Sequence, residues 1–118
     1  MEKDLERRTK QFALSVIKFM SSLPRTREAD VLGRQLLRSA TSVGANYREA
    51  YRGRSKAEFI SKVGDSLKEV EETEYWLELL VDSGFVSPAK MANLLDESRQ
   101  LNAIFTTIVK KAKGSNSD

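Results

Sequence analysis

Apolar residues recur at helical spacing in four long stretches of this chain, and short clusters of turn residues divide those stretches. No segment shows the strict alternation of a half-buried strand. The cluster "SSLPRT" (21–26) ends the first stretch with a proline and offers Thr26 as the cap of the second. Gly53 stands where a C′ residue would end the second. "SKAE" then has capping-box spacing, with the Glu58 carboxylate able to reach back to the Ser55 amide. Gly84 closes the third stretch, and Ser87 followed by Pro88 provides an N-cap with proline at the first helical position.

The stripes within these segments are Leu5, Phe12, Val16, Met20 and Leu23; then Leu32, Leu36, Ala40, Val43, Tyr47 and Ala50. The third segment contributes Phe59, Val63, Leu67, Val70, Leu77 and Leu80, and the fourth Met91, Leu94, Leu101, Phe105 and Ile108. Each helix therefore has one face to bury, and short connections make sequence neighbours antiparallel. The expected fold is all-α, a single up-down-up-down four-helix bundle over residues 1–113. The tail "KGSNSD" reads as frayed, with residues 114–118 expected to be disordered.

The 118 residues, 40% of them apolar, suffice for one core but not two. With no cysteine there is neither a disulfide framework nor a thiolate metal site, and with no histidine the usual zinc ligand and neutral-pH acid/base are missing. No cofactor, metal or catalytic residue is expected. Ser39 or Ser42 would need a base, and the sequence places no Lys or Glu at the right distance from either. "MEKDLERRTK" lacks the apolar run of a secretory signal, and no stretch approaches the roughly 20 apolar residues of a membrane span. A cytoplasmic location is the default expectation.

The net charge of +3 conceals an asymmetry. Residues 25–56 carry eight Lys/Arg against three Asp/Glu, whereas residues 57–84 carry two against eight. In helix 2 the basic residues Arg34, Arg38, Arg48 and Arg52 fall roughly opposite the apolar seam, and Arg54 and Lys56 extend them past the turn. Such a stripe is either a solvated face, a subunit contact or a phosphate-binding surface, and arginine suits bidentate phosphate contacts. Lys110, Lys111 and Lys113 join it if helix 4 ends nearby. No aromatic residue interleaves the stripe, so a structured RNA or duplex backbone fits better than a single strand. Beside the seam runs a polar stripe, Gln35, Ser39, Ser42, Asn46 and Glu49, expected to form an interhelix network with Asn46 and Glu49 partly buried and hydrogen-bonded.

Helix 3 has its own stripe off the Val63–Val70 face: Asp65, Glu69, Glu72 and Trp76. The run "EVEETEYW" lacks the Glu-x-x-His pairs of a di-iron bundle. A large aromatic outside the seam suits a subunit interface or lies flat over the long side chains of a monomer, and the acidic residues either meet arginines of the next subunit or pair with helix 2 within one chain.

"LLRSATSVGANYREA", followed by "RSKAEF" and "SLKEVEETEYWL", strongly resembles the four-helix-bundle proteins encoded within intervening sequences of bacterial 23S ribosomal RNA genes, often labelled S23-like. Residues 34–80 carry the resemblance, and the bundle layout extends it over nearly the whole chain. Arg38, Ser39, Asn46, Glu49, Ser55 and Phe59 match the family pattern, while "ERRTKQF" stands where many members have an aromatic early in helix 1. The resemblance implies a cytosolic homo-oligomer, commonly a pentamer, without assigned catalysis. The fold also resembles the accessory variability protein of diversity-generating retroelements, whose basic surface serves nucleic acid and reverse transcriptase. Two functions are thus expected as alternatives: a nucleic-acid-associated oligomer touching structured RNA, or a scaffold that recruits another protein.

Overall fold

A computed structural model describes the backbone of residues 2 to 116 and the side chains of residues 4 to 114. It contains four helices: α1 (Glu2–Phe19), α2 (Arg27–Arg52), α3 (Lys56–Asp82) and α4 (Pro88–Asn116). A 3-10 turn, Met20–Ser22, prolongs α1, and no strand occurs among the described residues. Each helix packs on two neighbours, α1 and α3 both against α2 and α4, which closes an up-down-up-down four-helix bundle. The rod measures 51 × 22 × 20 Å. Its most extensive seam joins α2 to α3, and its thinnest joins α1 to α4.

The helix ends follow from local chemistry. The Thr26 hydroxyl accepts from the Ala29 amide at 3.1 Å, the Ser55 hydroxyl from the Glu58 amide at 3.1 Å, and the Ser87 hydroxyl from the Lys90 amide at 3.2 Å. Gly84 adopts φ +84°, and around it the Gly84 amide donates to the Val81 carbonyl and the Phe85 amide to the Leu80 carbonyl. This is the paired bonding of a Schellman stop, which needs a left-handed residue that glycine supplies without strain.

Three details differ from the sequence expectation. Glu58 Oε2 accepts from the Arg54 amide at 2.7 Å rather than from that of Ser55, so the box is shifted by one residue. Gly53 is extended (φ −65°, ψ 149°) instead of left-handed, because the chain turns directly into the next cap. Helix α4 continues through Gly114 to Asn116, past the expected boundary at residue 113; residues 117 and 118 lie outside the described residues.

The core is a single cluster that includes Val16, Leu36, Val43, Val63, Val70, Leu77, Leu80, Met91, Leu101 and Phe105. Each such side chain contributes roughly 1.5–3 kcal/mol on burial. Interleaved with them are five buried hydroxyls, Thr9, Ser39, Ser66, Thr73 and Ser98. Four donate to carbonyls three or four residues earlier in their own helix, and Ser66 donates across to the Val43 carbonyl at 2.9 Å. Burial of these groups is therefore compensated, and their small size lets the helices approach closely. Close approach is most evident between α1 and α2, where a Cβ added to Gly44 would lie 3.0 Å from Thr9 Oγ1.

Candidate functional site

The four arginines of α2 lie outside the core but do not act as one unit. Arg38 leans over the α3 flank, where its guanidinium reaches Glu69 at 3.4 Å and also pairs with Glu72. Arg48 leans the other way and meets Glu6 of α1 at 3.1 Å, while Arg34 pairs with Asp30 of its own helix at 2.8 Å. These two interhelical arginines are ten residues apart, which turns them about 80° from one another around the helix. Arg52 and Arg54, at the end of α2 and in the following turn, have no side-chain ion pair among the described residues. Lys56 opens α3 just beyond them.

The acidic residues of α3 also sit differently from the sequence reading. Asp65, Glu69, Glu72 and Trp76 are all half-buried and line the flank toward α2, whereas the outward face carries Ser61, Lys68, Glu71 and Tyr75. The reason is that Ser66 and Thr73 belong to the core, which rotates the buried arc away from the one drawn through Val63 and Val70 alone. Trp76 packs against the edge of the core and its indole N–H donates to Glu72 Oε2 at 3.0 Å. The exposed aromatic is its neighbour Tyr75, in edge-to-face contact with it at 5.2 Å. On the other flank of α3, Arg99 of α4 reaches Glu74 at 3.4 Å and Glu78 at 3.7 Å. Arginines of two neighbouring helices thus bracket the acidic helix within one chain.

Along the polar stripe, the Ser39 hydroxyl accepts from Thr73 of α3, and Ser42 bonds back to the Arg38 carbonyl. Glu49 is exposed and pairs with Lys62 of α3 at 2.7 Å, which holds the Lys62 ammonium above its ordinary pKa. Asn46 is half-buried, and its amide has no hydrogen-bond partner among the described residues. The cross-helix link therefore runs through Ser39 and Thr73, not through Asn46.

Antiparallel packing gathers the start of α1, the end of α2, the start of α3 and the end of α4 at one pole of the rod. There Leu5, Tyr47, Tyr51, Phe59, Ile104 and Ile108 line an apolar groove of about 860 Å³ with Arg8 and Lys111 among its polar residues. Tyr51 is 45% exposed and meets Tyr47 and Phe59 edge-to-face at 5.1 and 5.5 Å. Residues 4–8, 49–58 and 104–114 hold eight Lys/Arg against four Asp/Glu, while the opposite pole, residues 19–30 and 79–92, holds three of each. The positive charge is concentrated at the end of the rod rather than along its length. Sequence reasoning passed over Tyr51, although it stands one turn after Tyr47 and immediately before Arg52. It also missed Arg8, whose guanidinium donates to both Glu97 carboxylate oxygens at 2.7 and 2.9 Å, tying α1 to α4 and raising the pKa of Arg8.

Residues 2–107 match the family described as 23S rRNA-intervening sequence protein. The chain belongs to that family. A similar solved structure is that of a protein of unknown function from the S23 ribosomal protein family of Bacteroides thetaiotaomicron VPI-5482. The two share 35% identity with a TM-score of 0.83, covering 89% of this chain and 97% of the other. No curated protein matches this chain. For this intervening-sequence protein, no helix among the described residues is long and apolar enough to cross a membrane.

Proposed function

We propose that this intervening-sequence protein is a non-enzymatic homo-oligomer that associates with structured RNA through phosphate contacts. The observation that carries the reading is the charged pole: Arg52 and Arg54 have no carboxylate on their side chains among the described residues, and Lys110 and Lys111 lie on the adjoining end of α4. Arg34, Arg38 and Arg48 already face carboxylates, so they serve phosphate less readily than the pole does. Their pairs are exposed and weak, and a polyanion could still compete for them.

The oligomeric part of the proposal rests on exposed apolar side chains. Leu14 and Ile17 lie on the outer face of α1, and Tyr75 on that of α3, helices on opposite sides of the bundle. Two unlike patches on opposite sides suit head-to-tail contact, and closure of such a contact gives a ring, five-membered if this chain follows the family resemblance. The acidic α3 flank is engaged by Arg38 of the same chain, so Tyr75 with Trp76, rather than the carboxylates, is the stronger interface candidate.

The test is binding of a structured RNA hairpin across salt from about 50 to about 200 mM, where phosphate contacts make affinity fall steeply. Reversing Arg52 and Arg54 to Glu should weaken binding and flatten the salt dependence while the helical circular dichroism stays unchanged. Absence of binding at the lowest salt would reject the RNA reading in favour of a protein scaffold. Sedimentation of Ile17→Lys and Tyr75→Ala, each expected to move the wild-type assembly toward monomer, tests the oligomer independently.

A further inference from the structure

We infer that the groove at the charged pole is a stacking site for an unpaired nucleotide, with Tyr51 as the platform and Lys111 at its rim holding a phosphate within the wider positive charge of the pole. The inference rests on the RNA-association reading above and goes beyond it. Phosphate contacts alone do not distinguish paired from unpaired strands, whereas a base can stack only where its face is free.

Tyr51 is suited to this by position and by support. Nearly half of its surface is open, yet the ring is fixed by edge-to-face contacts with Tyr47 on its own helix and Phe59 on the next. A platform whose orientation is set before binding loses little rotamer freedom when a base arrives. The surrounding groove is apolar, floored by Tyr47 and continued by Ile104 and Ile108, so a base can leave water on more than one side. Its cationic margin is available. Lys111 lines the groove and has no ion pair among the described residues, whereas Arg52, also without a side-chain ion pair among them, lines the neighbouring clefts that α2 forms with α1 and α3. The carboxylates nearby are engaged: Asp4 with Arg7 at 2.9 Å, Glu58 with the Arg54 amide, and Glu49 with Lys62. Arg8 is committed to Glu97 and shapes the wall rather than serving the ligand.

The occupant most consistent with an apolar aromatic floor, a lysine at its rim without an ion pair among the described residues, and a pole of net positive charge is therefore a base with its adjoining phosphate. This fits a loop, bulge or strand end of a structured RNA, where bases are splayed from the stack.

The experiment compares three RNAs of equal length by fluorescence anisotropy at low salt: a single strand, a blunt duplex, and a single strand with abasic sites that keeps every phosphate. The wild type should bind the intact strand about tenfold or more tighter than the abasic one, the range expected for one stacked base. Tyr51→Ala should remove that difference and leave duplex binding unchanged, while Tyr51→Phe should preserve it. Equal wild-type affinity for intact and abasic strands overturns the stacking site without reference to any variant. Salt-sensitive duplex binding in the same experiment would then leave the phosphate reading standing. Loss of all binding at low salt overturns both.

Discussion

The Thr73 hydroxyl lies 2.8 Å from the Ser39 hydroxyl, both fully buried in the seam between α2 and α3. Two hydroxyl protons serve three close contacts there, because Ser39 also faces the Leu36 carbonyl and Thr73 the Glu69 carbonyl. The pair fixes the register of the two helices where an apolar pair of the same size would leave sliding unopposed. Ser39→Ala and Thr73→Val should each cost about 1 kcal/mol in urea unfolding, and the double variant less than their sum, since each single change already breaks the shared bond. Strict additivity would mean that the hydroxyls do not interact.

Gly44 and Thr9 predict a second coupling. An alanine at position 44 gains helix propensity of about 1 kcal/mol but brings its Cβ to 3.0 Å from Thr9 Oγ1 and 3.3 Å from Thr9 Cβ. Gly44→Val, with two more methyl groups, should destabilise by about 1–3 kcal/mol. Gly44→Ala should be better tolerated in a Thr9→Ala background than alone, as thermal unfolding of the four proteins would show.

Arg38 sits over Glu69 and Glu72, and this contact should behave as an exchangeable pair. Glu72→Arg places like charges together and should lower stability by up to about 1 kcal/mol, the range of exposed pairs. Adding Arg38→Glu should restore most of it. Rescue by Arg48→Glu instead would imply a contact between subunits, because Arg48 lies on the α1 side of α2 in its own chain.

The Lys62 ammonium, bonded to Glu49, should titrate above the ordinary 10.5 in a 13C-detected pH series, and Glu49→Gln should return it toward that value. A raised folded pKa stabilises below the unfolded pKa and is lost as pH rises through the folded one. On the alkaline side the contribution of this pair therefore persists through neutral pH and fades as pH rises through the raised Lys62 pKa.

How much of this was legible in the sequence depends on the kind of residue. Pro24, Gly84, Thr26, Ser55 and Ser87 act locally, through caps and stops within a few residues, and their roles could be read directly. Of the five buried hydroxyls only Ser39 was read, as a member of the polar stripe, although gaps in the apolar stripes marked the other four. Thr9 fills the space between Leu5 and Phe12, Ser98 that between Leu94 and Leu101, and Ser66 and Thr73 complete the row of Val63, Val70, Leu77 and Leu80. Omitting those two from the core turned the inferred outer face of α3 onto the α2 flank, which is why Trp76 was expected outside the packing. The aromatic groove at the pole was illegible for a different reason. Tyr51, Phe59 and Lys111 are brought together only by antiparallel packing of three helices, and no spacing along one helix encodes that.

The unequal seams of the bundle have a consequence for its motions. Helices α2 and α3 are joined by buried hydroxyl bonds, whereas α1 buries Leu5, Phe12 and Val16 but is linked to its neighbours by the half-exposed Arg8–Glu97 and Arg48–Glu6 pairs, has its thinnest packing against α4, and leaves Leu14 and Ile17 in solvent. A helix held in this way opens at lower free energy than the whole molecule unfolds. Its amides should exchange deuterium by local detachment while those of α2 and α3 wait for global unfolding, which makes the α2–α3 hairpin the persistent spine and α1 a strap across it.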